Sequence, residues 1–160
     1  MLQSDSLDLI SQLMELSGST TFFLESVKGS RLKVIIESQD ETLIRACQVI
    51  KRVVRLYFYS SERPVLYCIS YLNKEGLTPE EYVALMDEQL PIGTVFHSFN
   101  DPASIEKKNI SVSEEEDPEL AVLLNVRSPL IFKKQYDYWV AGRNIGSICE
   151  YFNEESISRV

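Results

Sequence analysis

A chain of 160 residues with 44% hydrophobic and 25% charged side chains is long and apolar enough for one domain with a full core. Its formal net charge of −8 and the lack of any basic run exclude broad binding to nucleic acid, so an anionic ligand has to be held by local groups against the field of the whole protein. No stretch approaches the ~20 apolar residues of a membrane span or resembles a signal peptide, and Cys47, Cys68 and Cys149 lack metal-ligand spacing; the expectation is a cytoplasmic protein with free thiols, no metal and no membrane contact.

In chain order, the spacing of Leu7, Ile10, Leu13 and Met14 predicts an amphipathic helix over 5–16, with Ser4 or Asp5 as its cap. Ser19 or Thr20 then caps a short helix over 21–27 that stops near Gly29. Free backbone N–H groups at its start could hold an anion, and ordinary capping accounts for the same residues equally well. Residues 31–38 read as a strand and 40–46 as a loop or helical turn. A hairpin follows, with arms over 49–59 and from Pro64 to Leu72 around the polar loop 60–63. Thr78, Pro79 and Glu81 mark a helix start, and the helix extends to about Gln89.

Pro91, Ile92 and Gly93 open a short segment over 94–99 that reads as another helical turn with a second cluster of free N–H groups, or as a plain turn. His97, the single histidine, has no Ser, Asp or Cys partner at a catalytic spacing and reads as incidental. Residues 105–113 form a partly polar strand, 114–117 an acidic solvated loop, and Asp117 with Pro118 starts a helix through Leu124. A second hairpin has arms over 130–140 and 145–153 around 141–144, and 154–160 reads as a loose tail. The cysteines fall in or beside the strands and read as small core residues. About six strands, mostly joined as hairpins, with four or five short helices give an α+β fold: an antiparallel sheet with helices packed on it.

Two residues break the pattern. Side chains alternate between the faces of a strand, so Ile50, Arg52, Val54, Leu56 and Phe58 share a face that is apolar except for Arg52. Ile148, Glu150 and Phe152 likewise share a face. A guanidinium on a core-facing row needs an anionic partner. A buried Arg52–Glu150 ion pair, exposure on a half-wet face, or a ligand pocket with a cationic and a carboxylate end would each account for both residues.

The ordered motifs LMELSGSTTFFLE, VIKRVV, YCISYLN, LPIG and ICEYF, spread from about Leu7 to Phe152, resemble those of the chorismate lyase family, whose members remove pyruvate from chorismate to give 4-hydroxybenzoate. The resemblance implies a chorismate lyase-like antiparallel sheet with an enclosed cavity and no cofactor. It places the carboxylate-binding arginine on Arg52, the catalytic glutamate of the last strand on Glu150, and ligand-binding backbone amides on Thr20 and Ile92. It implies a small anionic aromatic or pre-aromatic ligand. Departures from the family pattern are Ile69, where relatives often carry a polar residue, and Lys133 and Lys134, where arginines are common. The stretch from Leu123 to Phe152 also resembles the effector-binding domains of bacterial transcription regulators, which implies the alternative of a non-enzymatic binding module. The room before Arg31 is too short for the DNA-binding domain such regulators carry.

Overall fold

The computed structural model describes the backbone of residues 2–87 and 89–158 and, within these, the side chains of 9–157. Two helices, α1 (Leu2–Glu15) and α2 (Thr20–Lys28), lead into the hairpin strands β1 (Leu32–Ile44), β2 (Cys47–Phe58) and β3 (Leu66–Asn73). A 3-10 turn, Lys74–Gly76, precedes α3 (Pro79–Asp87) and α4 (Ile92–Phe99). Strand β4 (Ile105–Glu116), helix α5 (Pro118–Leu124), strands β5 (Leu130–Val140) and β6 (Arg143–Phe152), and helix α6 (Glu154–Ser158) complete the chain. The strands form one sheet in the order β1-β2-β3-β6-β5-β4, every neighbouring pair antiparallel. The α+β reading therefore holds, with six short helices among the described residues rather than four or five.

The main core lies on one face of the sheet. There Ile10 and Leu13 of α1, Leu24 of α2, Leu85 of α3, Val95 and Phe96 of α4 and Ile157 of α6 pack on Ile50, Val54, Leu56, Leu72, Tyr138 and Ile148. Helix α5 packs against the other face, where Leu120, Ala121 and Leu124 meet Ile131, Tyr67 and Tyr151. The predicted caps at the central helices are present. Ser19 Oγ accepts from Phe22 N, Asp117 Oδ1 from Leu120 N, and Thr78 and Glu81 form a reciprocal capping box. The predicted Ser4 or Asp5 cap and the Leu7 side chain lie outside the described side chains, as do residues 159–160; helix α3 ends at Asp87, just before undescribed residue 88.

Four local expectations are corrected. Residues 40–44 continue β1 rather than forming a loop, and only Arg45 and Ala46 make the turn, with φ of 50° and 66°. Two positive φ values suit the twist of a tight hairpin. Glu114, Glu115 and Glu116 belong to β4, paired with Phe132, Ile131 and Leu130. Being at the sheet edge, the strand tolerates a run of charge that a central strand could not. The tail is helix α6 through Ser158, because Asn153 caps it at Ser156 N and is itself tied to Pro64 O and Leu124 O, and Ile157 is buried. Cys47 is exposed beside the β1–β2 turn, not a core residue.

Strand β1 carries a bulge opposite the middle of β2. Ile36 pairs with Val54, but Ser38 pairs with Val53, so Glu37 is an extra residue in β1. Before the bulge the core-facing row of β1 is Leu32, Val34 and Ile36. After it, Gln39 stands opposite Arg52.

Candidate functional site

Arg52 is fully buried in the middle of β2. Its Nε donates to Gln39 Oε1 at 3.0 Å, an acceptor delivered by the Glu37 bulge, and its Nη2 donates to the Leu90 carbonyl at 2.6 Å. Its Nη1 is buried with no hydrogen-bond partner among the described residues. Both partners are neutral. Burial accordingly lowers the guanidinium pKa to about 10, still high enough to keep the charge at neutral pH.

Glu150 is 4% exposed and belongs to the next transverse row of the sheet, with Val54, Cys68 and Lys134. Thr20 Oγ1 donates to Glu150 Oε1 at 3.1 Å and accepts from Lys107 Nζ at 2.8 Å, so a threonine hydroxyl links the two charges. Lys107 Nζ also stands 4.7 Å from the centre of the Tyr136 ring, and the Tyr136 hydroxyl hydrogen-bonds Glu150. Burial first, and the Glu150 charge second, push the Tyr136 phenol well above its ordinary pKa, so it remains a donor. Burial pulls the Lys107 ammonium down, against the opposing pull of Glu150. Strand β3 separates Arg52 from Glu150, and strand spacing puts their Cα atoms roughly 12 Å apart. Among the described residues no ion pair joins the two, so a direct Arg52–Glu150 salt bridge is not the arrangement.

Between them lies a cavity of about 40 Å³, lined by Arg52, Glu150, Thr20 and Ile92 together with Lys107 and Tyr136. Its roof is made of two helix N-termini. Helix α2 begins at Thr20 under the Ser19 cap, and α4 begins at Ile92 behind Pro91, which supplies no side-chain cap. Free N–H groups and the positive end of each helix dipole make such positions attractive to anions. Gly93 lets the two ends meet: a Cβ there would stand 2.9 Å from Ser19 Oγ.

All four residues singled out by sequence thus border one cavity. Lys107, Tyr136 and Gln39 were missed. Strand alternation within 105–108 holds a weak signal for Lys107, whereas the place of Gln39 depends on a bulge that no residue type announces. His97 faces the Gly93 carbonyl and the edge of Phe22, outside the cavity lining. Of the departures from the family pattern, Ile69 and Lys133 lie on the opposite face, Lys133 beside Glu115. Lys134 is buried under α1, donating to the carbonyls of Leu13 and Leu16 at 2.6 and 2.5 Å. Cys68 lines the cavity, with its thiol pushed up to about 12 by burial. Among the described residues no group of three His, Cys, Asp or Glu side chains could hold a metal ion, and no helix is long and apolar enough to cross a membrane.

The antiparallel sheet with helices packed on it is a fold shared with solved domains of transcription regulators. The effector domain of PhnF from Mycobacterium smegmatis matches with a TM-score of 0.61 at 13% identity, over 86% of this chain and 90% of that domain. The whole PhnF chain matches with a TM-score of 0.62 at 12% identity, and the match spans 64% of its length. The C-terminal domain of the histidine utilization repressor from Pseudomonas syringae pv. tomato matches with a TM-score of 0.57 at 10% identity, over 76% of this chain and 91% of that one. At these identities the likeness is one of fold. Comparison with curated proteins gives no match. The family model described as "Chorismate pyruvate-lyase Rv2949c-like" matches residues 18–159, and the chain belongs to that family.

Proposed function

We propose that the protein is a cofactor-free lyase that removes pyruvate from chorismate, or a close analogue, to give 4-hydroxybenzoate. The observation that carries this reading is the buried Arg52, with one nitrogen unsatisfied among the described residues, across a cavity from Glu150. The ring carboxylate takes the open side of Arg52 and the amides of Thr20 and Ile92; a charge-assisted bond fixes its direction as well as its affinity. The ring hydroxyl and the ether oxygen then lie toward Glu150. The bond between the ring carbon and the ether oxygen breaks, the neighbouring ring carbon gives up its proton, and the ring becomes aromatic. The departing enolpyruvate takes one proton on its methylene carbon and becomes pyruvate, so no water, metal or oxidant is consumed. Glu150 steers that proton, held in place by Thr20 and Tyr136.

The test is direct: incubate the purified protein with chorismate and follow 4-hydroxybenzoate and pyruvate by chromatography. Equal amounts of both, above the spontaneous rate, support the lyase. A second reading, a binding module for a small aromatic or sugar-like acid, is favoured by the likeness to the effector domain of PhnF. Saturable binding of 4-hydroxybenzoate with no turnover of chorismate would select it.

A further inference from the structure

Four charged side chains surround the cavity or stand directly behind it: Arg52, Lys107 and Lys134 against Glu150. Three positive charges and one negative leave a local excess of two, inside a protein whose net charge is −8. Arg52 serves one end. Lys134 is engaged by two carbonyl oxygens at the C-terminal end of α1. Lys107 is different: it lines the cavity, and its ammonium carries three donors but, among the described residues, hydrogen-bonds the neutral Thr20 hydroxyl alone and stands over the face of Tyr136. Among the described residues its Nζ forms no ion pair, for Thr20 Oγ1 lies between it and Glu150. Burial lowers its pKa, with the Glu150 charge pulling the other way through the Thr20 hydroxyl.

We propose that Lys107 binds the second carboxylate of the substrate, the one on the enolpyruvyl group, so that the site holds a dianion at both ends and the monoanionic product at one. This rests on the lyase reading. Chorismate carries one carboxylate on the ring and another on the three-carbon ether. With the ring carboxylate on Arg52, the ether projects to the end where Glu150, Thr20 and Lys107 converge. When the carbon–oxygen bond breaks, the second carboxylate leaves with pyruvate, and 4-hydroxybenzoate retains only the contact to Arg52 and a hydroxyl. Lys107 then discriminates substrate from product, because it touches a group that only the substrate has. Its role is positioning and specificity.

Calorimetric titration separates this from a merely structural lysine. Chorismate is titrated into Glu150→Gln, to suppress turnover, and into Glu150→Gln/Lys107→Met; 4-hydroxybenzoate is titrated into the parent and Lys107→Met. The expected result is a loss of about tenfold or more for chorismate, less than about twofold for 4-hydroxybenzoate, recovery of most of the chorismate affinity in Glu150→Gln/Lys107→Arg, and unchanged melting temperatures. Equal losses for both ligands, or no loss for chorismate, overturn the assignment of Lys107 while leaving a parent that converts chorismate as a lyase. A parent that neither binds nor converts chorismate overturns both.

Discussion

A guanidinium that is fully buried, with one nitrogen unpartnered among the described residues, is a cost to the fold, which an anion would relieve under the proposed function. Arg52→Met should therefore leave the melting temperature of the empty protein unchanged or slightly raised, since apolar replacements of buried charges are often neutral or stabilising. The same change should remove about 2–5 kcal/mol of affinity for 4-hydroxybenzoate, the range for a desolvated charge contact. A fall in stability of several kcal/mol with affinity intact would assign Arg52 to the fold instead. Glu150→Gln keeps the shape and the Thr20 contact but loses the transferable proton, so kcat should drop much further than 4-hydroxybenzoate affinity; thermal melts and single-turnover assays check this. Arg52 and Glu150 were legible because each interrupts an otherwise apolar alternating row. Lys107 was not, because its neighbours Glu106, Lys108 and Asn109 are polar too, and an inward lysine among polar residues leaves no contrast. Lys134 was ambiguous for a related reason: beside Lys133, either could have faced inward.

Among the elements, the central and C-terminal hairpins and the capped helices α2, α3 and α5 were readable, because turn residues and caps impose their own chemistry. The β1–β2 turn was not. Arg45 and Ala46 sit at positive φ, where Asn or Gly would have advertised a tight turn. That choice carries local strain, and Ala46→Gly should raise stability by about 1 kcal/mol, read from the midpoint of urea unfolding. Gly93 sets the approach of α2 to α4. Gly93→Ala would press a methyl group against Ser19 Oγ, so the Ser19 side chain must turn away and give up its cap on Phe22 N; the expected outcome is a folded protein about 1 kcal/mol less stable that binds 4-hydroxybenzoate more weakly. Far from the cavity, Arg143 bridges both oxygens of buried Glu81, at 2.7 and 3.0 Å, and also holds the Gly76 carbonyl; Thr78 N and Asn100 Nδ2 complete the carboxylate's shell. Burial pushes the Glu81 carboxyl up, but the bonds from Arg143, Thr78 and Asn100 outweigh it and hold its pKa below the ordinary value. A lowered carboxyl pKa means stabilisation that is complete above the unfolded-state value of about 4.3 and fades as pH falls through the lower folded-state value. Glu81→Ala should cost about 1–3 kcal/mol near neutrality, because Arg143, Thr78 N and Asn100 lose a charged acceptor while Arg143 stays partly exposed to water. The gap from the parent should shrink in melts taken in increasingly acidic buffer.

At the scale of the whole molecule, the sheet order puts β2, β3 and β6 side by side, so residues about a hundred positions apart in sequence become opposite ends of one cavity. Alternation gave the face of each residue, and the resemblance gave the grouping; the distance between the two ends needed the register. Charge, too, is arranged by scale: a recess with a surplus of two positive charges inside a protein whose total, the recess included, is −8. Under the proposed function, a dianion approaching from solvent would first be repelled and would be drawn in only close to Arg52 and the two helix ends. Dissolved salt shortens the reach of the outer field from about 30 Å at 0.01 M to about 8 Å at 0.15 M, and touches the buried contacts far less. The association rate for chorismate, measured by stopped-flow, should therefore rise with ionic strength over that interval, opposite to the trend of a protein that steers its anionic ligand from afar. On that reading the net negative charge is a kinetic filter: it would slow every small anion alike at long range and leave discrimination to the few groups that line the cavity.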